Sequence, residues 1–257
     1  MSKIYVVTGA NRGIGLRLVQ NLAKKDGIVV ATVRSKAKVA GTPLTSIDNV
    51  RIVELEAESQ ASLDAAAAEI ALIAPTGIDE LWNNVGVYNV NNSPISMTTV
   101  GYEGYQRDLT VNVVAPIYFT SKLLPLLEKR DTKKVVFISS IAGSLSASIQ
   151  MESILSELEI PYNYASTKTA LNMAVFVCSV EYVSVEYLHK EFKSKGFAFI
   201  PIHPGLVATD MYHGKDNFGD PISPEESAKS LISTVEKIDP KHYSFSLTNY
   251  DGTILPW

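Results

Sequence analysis

Lys3-Ile4-Tyr5-Val6-Val7-Thr8 runs without a break into Gly9-Ala10-Asn11-Arg12-Gly13-Ile14-Gly15, and from there into a helical stretch, Leu16 to Lys25. A buried strand, a glycine turn and a helix in immediate succession form a phosphate-binding arrangement. The glycines let the backbone turn tightly and approach a pyrophosphate, while the helix N-terminus offers unpaired N–H donors and the positive end of its dipole. The spacing is Gly-x-x-x-Gly-x-Gly, with a longer first gap than the usual dinucleotide fingerprint. Three glycines after a strand also make a plain tight turn; the strand and helix on either side are what favour a nucleotide.

The alternation begun there continues along the chain. Short β-branched runs predict strands at 3–8, 28–33, 50–55, 78–83, 133–139, 197–202 and 243–247, and helical periodicity falls near 14–25, 59–73, 99–127, 163–194 and 223–237. Strands that alternate with helices imply right-handed crossovers and an α/β fold: a Rossmann-like, doubly wound, mostly parallel sheet with helices on both faces. No long Pro/Gly/Ser-rich linker interrupts the 257 residues, so 1–257 is expected to be a single domain. Ligands of such sheets bind beyond the carboxyl ends of the strands, and Gly9, Asn84, Ser140 and Pro204 each follow a predicted strand end.

Tyr164-Ala165-Ser166-Thr167-Lys168 sets a phenol and an ammonium one helical turn apart. Positions i and i+4 share a face, so Lys168 is expected to lower the pKa of Tyr164 and ready it for proton transfer near neutral pH. Tyr162 also stands at the helix start, but only Tyr164 has a Lys four positions on. Ser139 and Ser140 are adjacent in an extended segment, so only one of them faces the site.

With these residues in view, the chain resembles the short-chain dehydrogenase/reductase family over nearly its whole length. Thr8 to Gly15 is similar to that family's cofactor motif, Asn83-Asn84-Val85-Gly86 to its Asn-Asn-Ala-Gly segment, and Asn112 to its helix Asn. Ser140, within Val135 to Gly143, resembles the catalytic Ser, and with Tyr164 and Lys168 completes a catalytic tetrad of Asn112, Ser140, Tyr164 and Lys168. The subgroup resembled most is the sniffer and C-factor type of carbonyl reductase, through the ending Asn249-Tyr250-Asp251-Gly252 to Pro256-Trp257 and the enlarged segment 141–163 before Tyr164.

The resemblance implies an NADPH-dependent carbonyl reductase that transfers hydride to a ketone or aldehyde. Tyr164 is then the general acid, Ser140 polarises the carbonyl oxygen, Lys168 also holds the nicotinamide ribose, and Asn112 serves a water relay. Pro116 cannot donate an amide hydrogen to the Asn112 carbonyl, so a local bend is expected there. The cofactor contacts implied are Gly9, Asn11, Arg12, Gly13, Ile14, Gly15, Arg34, Glu56, Ala57, Asn84, Gly86, Tyr164, Lys168, Pro204, Gly205, Val207 and Thr209. Glu56 stands where the family generally has Asp beside the adenine.

The choice of cofactor follows from charge. The end of the second strand, Ile28 to Ser35, carries no carboxylate to hold a ribose 2′-hydroxyl; Arg34 stands nearby, and Arg12 supplies a second cation. A guanidinium fork suits a 2′-phosphate, which favours NADPH over NADH.

Segment 206–222 is polar, glycine-punctuated and aromatic, and is expected to form a substrate lid. Met211, Tyr212 and Phe218 from this side, with Ser140, Ile141 and Tyr164, and Val87 and Tyr88 opposite, imply an apolar or aromatic small-molecule carbonyl substrate. Leu145 to Ile160 has helical periodicity at Ile149, Ile154, Leu155 and Leu158 and lies where it either covers the cleft or alters subunit pairing. A homodimer is expected. The other readings weighed are a non-catalytic NADP-sensing regulator of the same fold and an isomerase or dehydratase that uses the cofactor transiently.

A net charge of −4 and a pI near 5.6 give no basic footprint for nucleic acid. Cys178, the single cysteine, lies in an apolar helical run and is expected to be a buried, inert thiol. His189, His203, His213 and His242 have no suitably spaced partners, so no metal site is expected and all four are taken as structural or surface groups. No secretory pattern precedes the first strand. Ala170 to Val180 falls short of the roughly 18–20 apolar residues that span a bilayer, so a cytoplasmic protein without a membrane partner is expected.

Overall fold

The computed structural model describes residues 2–88, 101–150, 162–179, 192, 194–211 and 220–257. Eight strands form one sheet: β1 Lys3–Val7, β2 Gly27–Val33, β3 Val50–Glu54, β4 Glu80–Asn83, β5 Lys134–Ile138, β6 Ala198–His203, β7 Leu247–Asn249 and β8 Ile254–Leu255. Their spatial order is β3-β2-β1-β4-β5-β6-β7-β8, and every pairing is parallel except the closing β7–β8 hairpin. The order reverses direction between β1 and β4. The loops leaving those two strands therefore part at the edge of a crevice, the place where α/β sheets bind ligands.

The strands are apolar almost throughout because both faces are covered. Successive side chains alternate, and each β1 residue goes to one of two cores. Tyr5 and Val7 join Val29, Ala31, Val136 and Ile200 under α1 (Gly13–Leu22) and α8 (Pro224–Lys237), which contribute Leu18, Val19, Leu231 and Val235. Ile4 and Val6 join Val30, Val53, Leu81 and Val135 on the other face. There α3 (Gln60–Ile73), α5 (Ala115–Leu127) and α7 (Tyr162–Ser179) supply Ile70, Phe119, Leu123, Leu171 and Val175. Burying each such side chain is worth about 1.5–3 kcal/mol, so the two layers are the main stabilising term.

Two short elements not expected from the sequence, α2 (Lys36–Val39) and a 3-10 turn at Pro43–Ser46, fill the β2–β3 connection, and α6 (Leu145–Gln150) opens the enlarged segment. The remainder of that segment, 151–161, lies outside the described residues, as do 180–191 of the helix expected to run to 194.

The expected helix 99–127 begins at Tyr102 as α4 (Tyr102–Leu109) and passes through a π turn, Thr110–Val114, into α5. Pro116 is the cause: it brings no N–H to the Asn112 carbonyl, and the Ala115 N–H reaches five residues back to Thr110. Unlike Ala170 to Val180, Tyr102–Leu127 is by length and composition long and apolar enough to cross a bilayer, a stretch the sequence reading did not weigh. Here it lays Val111, Phe119, Leu123, Leu126 and Leu127 into the core.

The strand expected at 243–247 is displaced to Leu247–Asn249. Tyr243 and Ser246 bond each other, the Tyr243 hydroxyl donating to the Ser246 carbonyl at 3.3 Å, and this local closure removes 243–246 from the ladder.

Candidate active site

The phosphate cradle is built where β1 meets α1. Arg12 is the N-cap residue in extended backbone, no side chain caps the helix, and its first turn holds no acid, so its leading N–H groups point into the crevice unopposed. Gly15 is dictated by close approach: a Cβ there would lie 2.3 Å from the Gly9 carbonyl oxygen and 2.5 Å from Asn84 Nδ2. Asn84 stitches the two loops of the switch point together, its side chain donating to the Thr8 carbonyl at 2.9 Å and the Gly9 carbonyl at 3.2 Å. Thr8 completes the stitch, its hydroxyl accepting the N–H groups of Asn84 at 2.9 Å and Val85 at 3.1 Å. The sequence placed Thr8 at the head of the cofactor motif without a contact of its own; a buried polar residue closing an apolar strand was the further signal.

Ser140 follows β5 and opens a 3-10 turn, Ile141–Gly143, its Oγ accepting the Ala142 N–H at 3.1 Å. The turn packs against α7: a Cβ on Gly143 would sit 2.7 Å from the Lys168 carbonyl carbon, so only glycine lets the Ser140 loop approach the helix that carries Tyr164. Ser139 faces the other way, its hydroxyl bonded to the buried Asn172 amide. His203, at the end of β6, accepts the Ile141 N–H on Nδ1 at 3.3 Å, and burial pushes its pKa down to about 4. The sequence reading left His203 as a structural or surface group; it is structural, and it borders Ser140.

The Ser140 hydroxyl lies close enough to the Tyr164 phenol to act on its titration, and Tyr88 packs edge-on against the Tyr164 ring with centroids 4.9 Å apart. Lys168 is buried, donates from Nζ to the Ile138 carbonyl at 2.8 Å, and lies 5.6 Å from the Tyr164 ring centroid. The expected lowering of the Tyr164 pKa by Lys168 is not what this arrangement gives. Burial pushes the phenol up to about 12, against the opposing effect of the Ser140 hydroxyl, and Tyr88 adds to the rise. Burial also lowers Lys168 to about 8, which weakens the cation that was to do the lowering.

Asn112 is fully engaged: its Oδ1 accepts the Val87 N–H at 2.8 Å, and its Nδ2 donates to the Val87 carbonyl and the Thr167 hydroxyl, each at 3.0 Å. It thereby ties the loop after β4 to the Tyr164 helix. Gly86 lies within that tie, close to both Asn112 Oδ1 and Lys168 Nζ.

Arg34 stands exposed just beyond β2. Arg12 is on the same rim, but its guanidinium pairs with Asp210 at 2.6 Å, both side chains largely in solvent. Glu56 and Ala57 follow β3, with the Glu56 N–H donating to Ser62 Oγ at 2.8 Å and Ala57 buried. Beyond β6, Pro204 and Gly205 lead to Val207, which bridges to Ile222, so both ends of the expected lid are tied together. Thr209 faces the glycine turn, its Cγ2 3.5 Å from where a Gly13 Cβ would lie. Met211 is exposed and Ile141 half-buried; Tyr212 and Phe218 lie outside the described residues.

Comparison with known proteins agrees with this geometry. A family model described as short chain dehydrogenase matches residues 3–218. An uncharacterized oxidoreductase of Schizosaccharomyces pombe is 31% identical, with 100% of this chain and 98% of the relative covered. Among solved structures, an NADPH-bound carbonyl reductase from chicken fatty liver superposes with a TM-score of 0.82 at 26% identity, covering 100% of this chain and 94% of the other. The carbonyl reductase Sniffer of D. melanogaster gives 0.77 at 26% identity, with both chains covered in full. The order of strands, the glycine cradle and the family match converge: this chain belongs to the short-chain dehydrogenase/reductase family of oxidoreductases.

Proposed function

We propose that the protein is an NADPH-dependent carbonyl reductase acting on a small ketone or aldehyde. The observation that carries this reading is the meeting of Ser140, Tyr164 and Lys168 at the carboxyl ends of the strands, beside a glycine turn so tight that any side chain at position 15 would collide with the Gly9 carbonyl. The turn fits a pyrophosphate: the leading N–H groups of α1 are uncapped, and Gly9 and Gly15 let the turn close tightly on Asn84 and Val85 in front of them. Arg34, exposed beyond a strand end without a carboxylate, suits a 2′-phosphate, and Thr209 and Val207 are the residues that would hold a carboxamide. When bound, NADPH supplies the hydride.

Negative charge that builds on a carbonyl oxygen needs donors already aimed at it. Ser140 Oγ and the Tyr164 hydroxyl stand near each other and are the two donors available to receive such an oxygen. A phenol held near 12 is fully protonated at neutral pH and suits proton donation in the reducing direction. Lys168, anchored on the Ile138 carbonyl, keeps its ammonium beside the phenol and counters the phenolate left after proton transfer. Tyr88 and Ile141 give the receiving point an apolar border.

NADPH oxidation measured against a panel of ketones, aldehydes and diketones tests the reading; consumption of NADPH with alcohol as product supports it, and no turnover on any of them favours a regulator. Tyr164→Phe is expected to lower turnover by about two to four orders of magnitude, the scale of a lost general acid, with NADPH affinity nearly unchanged. Wild-type turnover in that variant would remove Tyr164 from the role. The homodimer and cytoplasmic location expected from the sequence belong to the same reading, and sedimentation of the purified chain tests the first.

A further inference from the structure

Asp108 and Asn163 face each other between α4 and the first turn of α7, each with 1% of its surface exposed. Asn163 Nδ2 donates to Asp108 Oδ2, yet the second oxygen of each group, Asp108 Oδ1 and Asn163 Oδ1, has no hydrogen-bond partner. Two orphaned buried acceptors cost several kcal/mol together, at about 1–3 kcal/mol each. The pair lacks one donor, and a carboxylate cannot supply it.

The flanking contacts place this pair in a row. Tyr105, Asp108 and Asn112 recur at i, i+3 and i+7, one face of the helix, and meet Ser166, Asn163 and Thr167 of α7. The Tyr105 hydroxyl donates to Ser166 Oγ at 2.9 Å, and Ser166 in turn donates to the Asn163 carbonyl at 2.9 Å. Thr167, which receives Asn112, donates to the Tyr164 carbonyl at 2.8 Å.

We propose that Asp108 carries its proton at neutral pH, donates it to Asn163 Oδ1 in a two-bond acid–amide ring, and so anchors a polar seam that sets the register of the helix bearing Tyr164 and Lys168. Asp108 is thus a positioning residue for the proposed reduction, and the inference rests on the reading of Tyr164 as proton donor. One nearby charge opposes this, is partly offset, and is outweighed by burial. On its own helix Arg107 favours the carboxylate, but Arg107 is paired with Glu58 at 2.8 Å, whose charge acts in the opposite sense. From α7 the facing groups are Asn163, Ser166 and Thr167, none of them charged. Burial pushes the Asp108 carboxyl up.

The test pairs a conservative with an apolar variant in the full-length protein. Asp108→Asn keeps one donor and one acceptor and so rebuilds the ring as an amide pair; its kcat, its pH–rate profile and its NADPH affinity are expected to stay within about twofold of the parent. Asp108→Leu removes the ring and is expected to lower kcat about ten- to a hundredfold while NADPH affinity holds, the scale of a catalytic group displaced by about an ångström. Carbon-13 NMR of aspartate-labelled protein at pH 7 should show one protonated side-chain carboxyl that vanishes in Asp108→Asn. Any one of three results overturns the proposal: only ionised aspartates at pH 7, Asp108→Asn as impaired as Asp108→Leu, or Asp108→Leu as active as the parent. A parent without ketone reductase activity would overturn the reductase reading alone, because the NMR signal reads the seam without turnover.

Discussion

His203 sits where one titration reports on the integrity of the site. Its ring is held neutral with a pKa near 4, against an ordinary 6.5, because burial disfavours the imidazolium, and its Nδ1 holds the turn that follows Ser140. A base whose folded pKa is depressed gives stability that is complete above the unfolded value and is lost as pH falls through the folded one. The parent should therefore weaken between about pH 6.5 and pH 4, and His203→Asn, which keeps an acceptor and cannot be protonated, should weaken less over that window. Urea midpoints at pH 7 and pH 5 measure the difference; equal losses in both proteins would mean that the ring is not a buried neutral acceptor. Spacing within the chain pointed to Tyr164 and Lys168, and likeness to a family separated Ser140 from Ser139. The direction of the Tyr164 shift was not legible, because it depends on how completely groups from other elements, Tyr88 among them, exclude water around the phenol.

Elements carry the next level of constraint. The glycine turn was readable because a strand, three glycines and a helix follow one another within a few residues. What the sequence could not show is why each glycine is there. Gly15→Ala is expected to abolish NADPH binding and to cost about 1–3 kcal/mol of stability, since its Cβ would meet the Gly9 backbone carbonyl oxygen at 2.3 Å, where no side-chain end can yield, and would also displace the Asn84 amide at 2.5 Å. Fluorescence titration with NADPH and urea denaturation check the two halves; normal NADPH affinity in the variant would displace the cradle from this turn. The π turn at Thr110–Val114 was half legible, since Pro116 announces a missing donor but not the form the helix takes around it. The β7 strand was misplaced because Tyr243 and Ser246 satisfy one another locally, a contact invisible to a count of β-branched residues.

At the scale of the whole molecule, residues from β1, β4, β5, β6 and α7 must arrive at one rim, so ligand binding and global stability are coupled. NADPH at about a hundred times its Kd should add about 2.7 kcal/mol, or roughly 5–10 °C in Tm for a domain of this size. Arg34→Asp should shrink that increment for NADPH and raise it for NADH; thermal scans with each cofactor decide, and an unchanged ratio would take Arg34 out of the cofactor site. The sequence by itself determined the alternation of strands and helices, the glycine turn, the Tyr164–Lys168 spacing and the strand ends at which the motifs gather, because each of these is written in residues close together along the chain. Tertiary structure alone decided that the phenol is desolvated rather than activated by its lysine, that Asn112, Tyr105 and Asp108 line up against the helix of Tyr164, and that Arg12 meets Asp210 across the crevice. Those outcomes depend on burial and on contacts between segments tens to hundreds of residues apart, and no local pattern encodes the dielectric or the distance that results.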